Sequence, residues 1–419
     1  MLSISTSKID ITPDKPVWLD GFGNRTKRSE GSYHPLYAKA LILDDGGTRA
    51  CLVTAEVLGF DRRQSARVKD AISGATGIPP DHVILTATHT HCAPRIRDTV
   101  MPGDLEPDVQ EAFEQKVAAV AAEAAAQPCQ PVSVSFSRGR GRFGVNRRLP
   151  GGRRGPNPDG PMDRDLDTFW FTAEGGEVAA SFTIYACHPT SRGDYLMGGD
   201  FPAFLADQIE AKVGGNALYA MGCGGDTRPH FAGPDGNFRQ AEIAEIEAEG
   251  RALADVALHA RTRAEPVPVE RITLKTAHVP LPLEPHPSRA DYARIAAEDR
   301  NALIRQWAGR MLEAMDHAPL PRYVPFETQT LTFSDAVQAV FLAGEVVTDI
   351  GLRIKRRFPN RRVAVAAYSN GIVAYVPSRR MHPEGGYEVN GSHFYYVQPA
   401  PFTADVEDAI ASQVEEMIG

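Results

Sequence analysis

Short apolar runs alternate with amphipathic helical patterns along this chain, and that alternation limits its fold more than any other feature. Runs at Ala38–Leu43, Arg49–Val53, Val83–Thr88, Val132–Phe136, Thr168–Thr172, Ala179–Ala186, Asn216–Met221, Ala336–Leu342 and Val363–Ala367 are apolar or alternating, which predicts strands. The spacing predicts helices over Arg62–Ser73, Pro107–Ala126, Pro202–Lys212, Ala241–Arg263, Ala290–Asp316, Val346–Phe358 and Ala404–Ile418. Strands and helices interleaved in this way imply an α/β or α+β class. Arg138–Gly160, dense in Gly, Arg and Pro, reads as a long functional loop, and Pro280–Pro287 as an irregular connector. At 419 residues the chain exceeds the size at which a single core stops growing, so one large domain with an appendage, or two domains, is expected.

Composition excludes several classes. With 42% hydrophobic and 23% charged residues the chain is globular rather than disordered or fibrous. Its net charge is −8 and its basic runs are short, such as Arg153-Arg154 and Lys355-Arg356-Arg357, so no nucleic-acid partner is expected. No apolar stretch is long enough to insert into a membrane, and the first residues lack the pattern of a secretory signal. The 5 cysteines are odd in number and contain no Cys-x-x-Cys, which favours reduced thiols and a cytoplasmic location. The expected partner is a small-molecule substrate, with a homo-oligomer left open.

The candidate chemistry gathers at strand ends. The run Val83–Thr88 closes on His89-Thr90-His91, and in extended backbone residues i and i+2 share a side, so both imidazoles can address one centre. Zinc takes such nitrogen ligands, although a hydrogen-bonded core pair has the same pattern. A second strand delivers His188, and a lone histidine at a strand end is more often structural. Glu345 stands at a strand-to-helix turn, where a carboxylate is either a ligand or a favourable charge near a helix N-terminus. Tyr368, Tyr375 and Tyr387 follow, and each can bind a metal, donate to an oxyanion or simply fill the core.

In order along the chain, Ile9-Asp10-Ile11-Thr12-Pro13, Gly21-Phe22-Gly23, His34–Ala40, Thr88–His91, Asn146-Arg147, His188–Ser191, Gly199-Asp200, Gly224–Pro229, Gly344-Glu345, Tyr375 and Tyr387-Glu388 form a set that resembles the catalytic domain of the neutral/alkaline, non-lysosomal ceramidases. The resemblance implies a mixed-sheet domain with helices packed around it, spanning 1–419 with a smaller subdomain around 265–330. It implies zinc (Zn2+) bound by His89, His188, Glu345 and Tyr375. By the same resemblance His91 is catalytic or faces the substrate, Tyr387 assists at the scissile carbonyl, and Arg147 lines the substrate pocket. Asp226 is expected to orient a site histidine, as ligating imidazoles require a partner.

Two departures bear on the substrate. Arg228 stands where these ceramidases carry a functional serine, and the family's C-terminal immunoglobulin-like domain has no counterpart here. The expectation is therefore a zinc-dependent hydrolase of an amide or ester bond, acting on a small, soluble and anionic substrate met by Arg147 and Arg228 rather than on ceramide. A metal-dependent lyase or a glycoside-processing enzyme on the same site is the alternative.

Overall fold

The computed structural model describes residues 1–419. Two β-sheets pack face to face, with helices covering both outer faces. The larger sheet runs Asn216–Met221, Val178–Tyr185, Asp165–Ala173, Gln130–Arg140, Ser3–Asp10, Tyr37–Asp44, Arg49–Ala55 and Val83–Ala87 in spatial order. It is mixed: Val178–Tyr185 lies parallel to Asn216–Met221 and Arg49–Ala55 parallel to Val83–Ala87, while the pairs between them are antiparallel. The second sheet is Thr273–Pro282, Tyr323–Ser334, Val337–Leu342 and Arg362–Ala366, its last two strands parallel.

Between the sheets lies an apolar layer in which Phe169 meets Phe333 at 5.2 Å and Phe182 stacks on Phe341 at 6.1 Å between ring centroids. Helices Arg62–Thr76 and Pro107–Ala126 cover one half of the larger sheet, and Asp200–Val213 with Ile243–Arg261 the other. Helices Thr348–Arg357 and Val406–Ile418 cover the second sheet. This is the mixed α/β arrangement expected. The segment around 265–330 gives the second sheet two long strands and, between them, the helical pair Arg289–Glu298 and Ala302–His317, which has its own small core around Tyr292 and Trp307.

Three sequence expectations are corrected. Arg138–Gly160 is not a loop: Gln130–Arg140 runs into it, and Gly144–Leu149 with Arg153–Asn157 forms a hairpin whose turn uses Gly151 and Gly152 at φ 74° and 70°. Pro280 and Pro282 lie in the strand Thr273–Pro282, where prolines are tolerated because it is an edge strand. The helix expected over Ala290–Asp316 breaks at Asp299–Asn301, and the Asn301 side chain caps the second helix by accepting from Leu303 N at 2.9 Å.

Candidate metal centre and active site

The parallel strands of both sheets end at the same edge of the molecule, and their C-terminal loops deliver the site, as in other open α/β sheets. The larger sheet supplies His89 and His188, and the second sheet supplies Glu345. Bridges between Thr86 and Ser369 and between Gly222 and Ala366 tie the two sheets together there.

His89 does not lie in extended backbone. The strand ends at Ala87, and His89 turns into the left-handed region at φ 66°, so the alternation argument for His89 and His91 fails. The turn is pinned by His89 N–H donating to Val57 O at 3.0 Å and by its Nδ1 against Leu58 O at 2.5 Å. The two rings nevertheless converge, their centroids 5.1 Å apart and perpendicular. His188 follows the strand Val178–Tyr185 and has Nδ1 at 3.2 Å from Gly224 O. Glu345 and Tyr375 are direct cross-strand partners in a short parallel bridge.

A ring nitrogen facing a carbonyl must carry a proton, so in the neutral imidazoles of His89 and His188 the lone pair lies at Nε2. Those two nitrogens face each other at 3.0 Å. Glu345 Oε2 lies 3.3 Å from the first and 3.5 Å from the second, and has no hydrogen-bond donor of its own. Tyr375 Oη is 3.4 Å from His188 Nε2. All four side chains are buried. Two ring nitrogens and a carboxylate oxygen brought this close in a buried site favour a shared cation between them. A proton on His188 does not supply it, since burial holds that imidazole well below its usual range. The nitrogen separation is close to that of two ligands sharing one tetrahedral ion with bonds of about 2.0–2.1 Å. The residues present therefore fit a divalent metal of zinc type.

His91 completes a three-histidine group whose ligand nitrogens lie within 4.8 Å of one another. Its Nδ1 is 3.1 Å from Gly21 O, its Nε2 is buried without a partner, and burial keeps the ring neutral. Gly21 has φ 95°, and a Cβ there would lie 2.3 Å from His91 Nδ1, so only glycine fits. The Tyr375 and Tyr387 rings meet at 5.2 Å, and burial raises both hydroxyls far above their ordinary range, so they remain protonated donors. The Arg147 guanidinium lies 5.5 Å and 5.6 Å from those rings and donates from Nε to Glu388 at 3.0 Å.

Asp226 is the clear correction. Its carboxylate accepts from Thr348 N and Oγ1 and from Asn146 Nδ2, each at 2.8 Å, and touches no histidine. It caps the helix Thr348–Arg357 that follows Glu345, and the orienting partners of the histidines are backbone carbonyls instead. Arg228 pairs with neither Asp226 nor Asp200: its Nη2 donates to Thr190 O at 3.0 Å and its guanidinium lies 4.3 Å from the Phe238 ring. The sequence reading missed Tyr396, whose hydroxyl donates to Glu345 Oε1, and Arg97, buried against Asp20 at 3.1 Å beside Tyr396. Tyr368, seen in the sequence without a role, packs its ring 4.1 Å from that of His89. For Tyr396 the aromatic run His393–Tyr396 after Tyr387 is the available signal.

No family model matches the chain. Among solved structures it is similar to the neutral ceramidase from Pseudomonas aeruginosa, with a TM-score of 0.78, 18% identity, and coverage of 100% of this chain and 74% of that one. It is also similar to a ceramidase complexed with C2, with a TM-score of 0.77, 15% identity and the same coverage. Over its whole length, the chain has the neutral ceramidase fold.

Proposed function

We propose that the protein is a zinc-dependent hydrolase that cleaves an amide bond. The observation that carries this reading is the pair of Nε2 atoms of His89 and His188 facing each other at 3.0 Å, closed by Glu345 Oε2. Fold similarity to ceramidases, whose reaction is amide hydrolysis, supports the bond type. His89, His188, Glu345 and Tyr375 would hold the ion, and a zinc ion there supplies the Lewis acidity that makes water nucleophilic near neutral pH.

The chain's own residues provide the rest. His91, neutral and with Nε2 free, accepts the proton of the attacking water and can return it to the leaving amine. Tyr387, held protonated by burial, donates to the oxyanion that develops on the scissile carbonyl. Arg147, fixed by Glu388, keeps the Tyr375 and Tyr387 rings in place and adds positive potential on the oxyanion side. Gly21 and Phe22, whose ring is 4.9 Å from His91, close one side of that histidine.

The test is zinc content and turnover of His89→Ala. Purified wild type is expected to carry close to one zinc per chain and to hydrolyse some member of a panel of simple N-acyl amides. The variant should lose the metal and the activity together. Full zinc retention by the variant would remove the ligand assignment. Product that contains no labelled oxygen from solvent water would replace hydrolysis with lyase chemistry.

A further inference from the structure

Outside the metal cluster, the least balanced chemistry in the molecule is a group of arginines on its approach. Arg147, Arg148, Arg154 and Arg228 lie on the three-stranded sheet formed by the hairpin and Thr227–Pro229. Arg228 stands opposite Val145, so it shares a face with Arg147 two residues on. The carboxylates that pair with the group are Glu388, shared by Arg147 and Arg148, and Glu384, bound by Arg148. Arg154 and Arg228 make no ion pair. The nearby buried carboxylates are already bound, Asp226 by Thr348 and Asn146, and Asp200 by Ser191.

The unused donors point to a ligand. Arg147 Nη2 and Arg228 Nε are both buried without a hydrogen-bond partner, although Arg147 is itself only about 2% exposed. Arg154 and Arg147 face Tyr387 with their guanidinium groups, each 5.6 Å from its ring. Burial and the positive charges of Arg154 and Arg147 hold Arg228 down at about 10, which shows the three cations in one another's field. Exposure falls inward in order: Arg154 is exposed, Arg228 and Tyr387 are half-buried, and Arg147 and Tyr375 are buried beside the metal ligands. Like charges with free N–H donors, graded from solvent to the reacting centre, are complementary to an oxyanion.

We propose that Arg154 and Arg228, together with the free Nη2 of Arg147, form an anion subsite, and that the substrate is an amide carrying a carboxylate or phosphate on the fragment that lies on the Tyr387 side of the scissile carbonyl. The subsite depends on the amidase reading only in placing an amide between it and the metal. The arginines select by charge, and the guanidinium fork of Arg228 favours a planar or tetrahedral oxyanion over a neutral polar group.

The binding test does not need turnover. The zinc-loaded protein is titrated calorimetrically with succinate and, separately, with inorganic phosphate. Saturable binding of at least one anion is expected, weakened about tenfold or more in Arg154→Gln and in Arg228→Gln and recovered in part by Arg154→Lys. Which anion binds assigns carboxylate or phosphate. No saturable binding of either, or binding equal in wild type and both variants, overturns the subsite whatever becomes of the amidase reading. The kinetic arm compares succinyl with butyryl para-nitroanilide, and N-acetyl-para-aminobenzoate with acetanilide. In at least one pair the wild type should prefer the anionic member, and the ratio of kcat/KM between members should fall about tenfold or more in Arg154→Gln. A ratio unchanged by both glutamine variants overturns the substrate class.

Discussion

His89 and Tyr368 both sit at positive φ, 66° and 55°, and their rings pack 4.1 Å apart at the candidate metal site. Left-handed backbone at a residue other than glycine costs of order 1–3 kcal/mol, and it persists here because surrounding hydrogen bonds over-determine it. The histidine motif was legible in the sequence as a spacing; the sign of φ, which decides where the ring points, was not. Tyr396 shows the same limit, since a buried tyrosine has no local pattern that separates a carboxylate donor from a core residue. Its hydroxyl engages Glu345 Oε1 and thereby leaves Oε2 free to face His89 and His188. Tyr396→Phe is expected to weaken zinc binding about 10–100-fold while lowering fold stability by only about 1 kcal/mol. Competition against a chromophoric chelator measures the first and urea unfolding the second. Zinc affinity equal to wild type would show that Glu345 is oriented without it.

At the scale of elements, the buried strands were legible because both of their faces are apolar, as in Val83–Ala87 and Val337–Leu342. Ser3–Asp10, Thr273–Pro282 and Tyr323–Ser334 were not, because their polar residues and prolines hide the period. The parallel bridge that sets Glu345 opposite Tyr375 joins segments thirty residues apart (345 to 375) and has no local sequence signal at all. One helix bears directly on the site, because it starts just after the Glu345–Val346 bridge. Thr348–Arg357 is anchored at its start by Asp226 and at its end by Lys355, whose Nζ meets Asp163 at 2.8 Å, Asp167 at 3.1 Å and Asp165 at 3.3 Å. Lys355 is about 11% exposed at its side chain, so this is a buried network rather than a surface pair. Lys355→Met leaves three carboxylates with only Arg138 and Arg140 against them, and should cost about 3–5 kcal/mol in urea unfolding. A loss below about 1 kcal/mol would place the cluster among solvent-screened pairs.

The whole molecule is built so that neither sheet holds the candidate metal site alone. His89 and His188 lie in loops after strands of the larger sheet, whereas Glu345 and Tyr375 belong to loops of the second. The sequence resemblance placed these four residues in order along the chain, but their meeting across the sandwich rests on the Phe169–Phe333 and Phe182–Phe341 layer, which only the folded chain shows. A cation bound by both sheets stabilises the native state and not the unfolded chain, in proportion to RT ln(1 + [L]/Kd). Free zinc at about 100 times its Kd is therefore expected to add about 2.7 kcal/mol, and for a chain of this size the unfolding temperature should rise by a few degrees over the chelator-treated protein. Calorimetric scans with and without zinc measure it. The shift should be absent in His89→Ala and in Glu345→Gln alike, because each removes a ligand contributed by a different sheet. A zinc shift that survives in Glu345→Gln but not in His89→Ala would mean that the larger sheet binds the metal alone, with His91 as the third ligand.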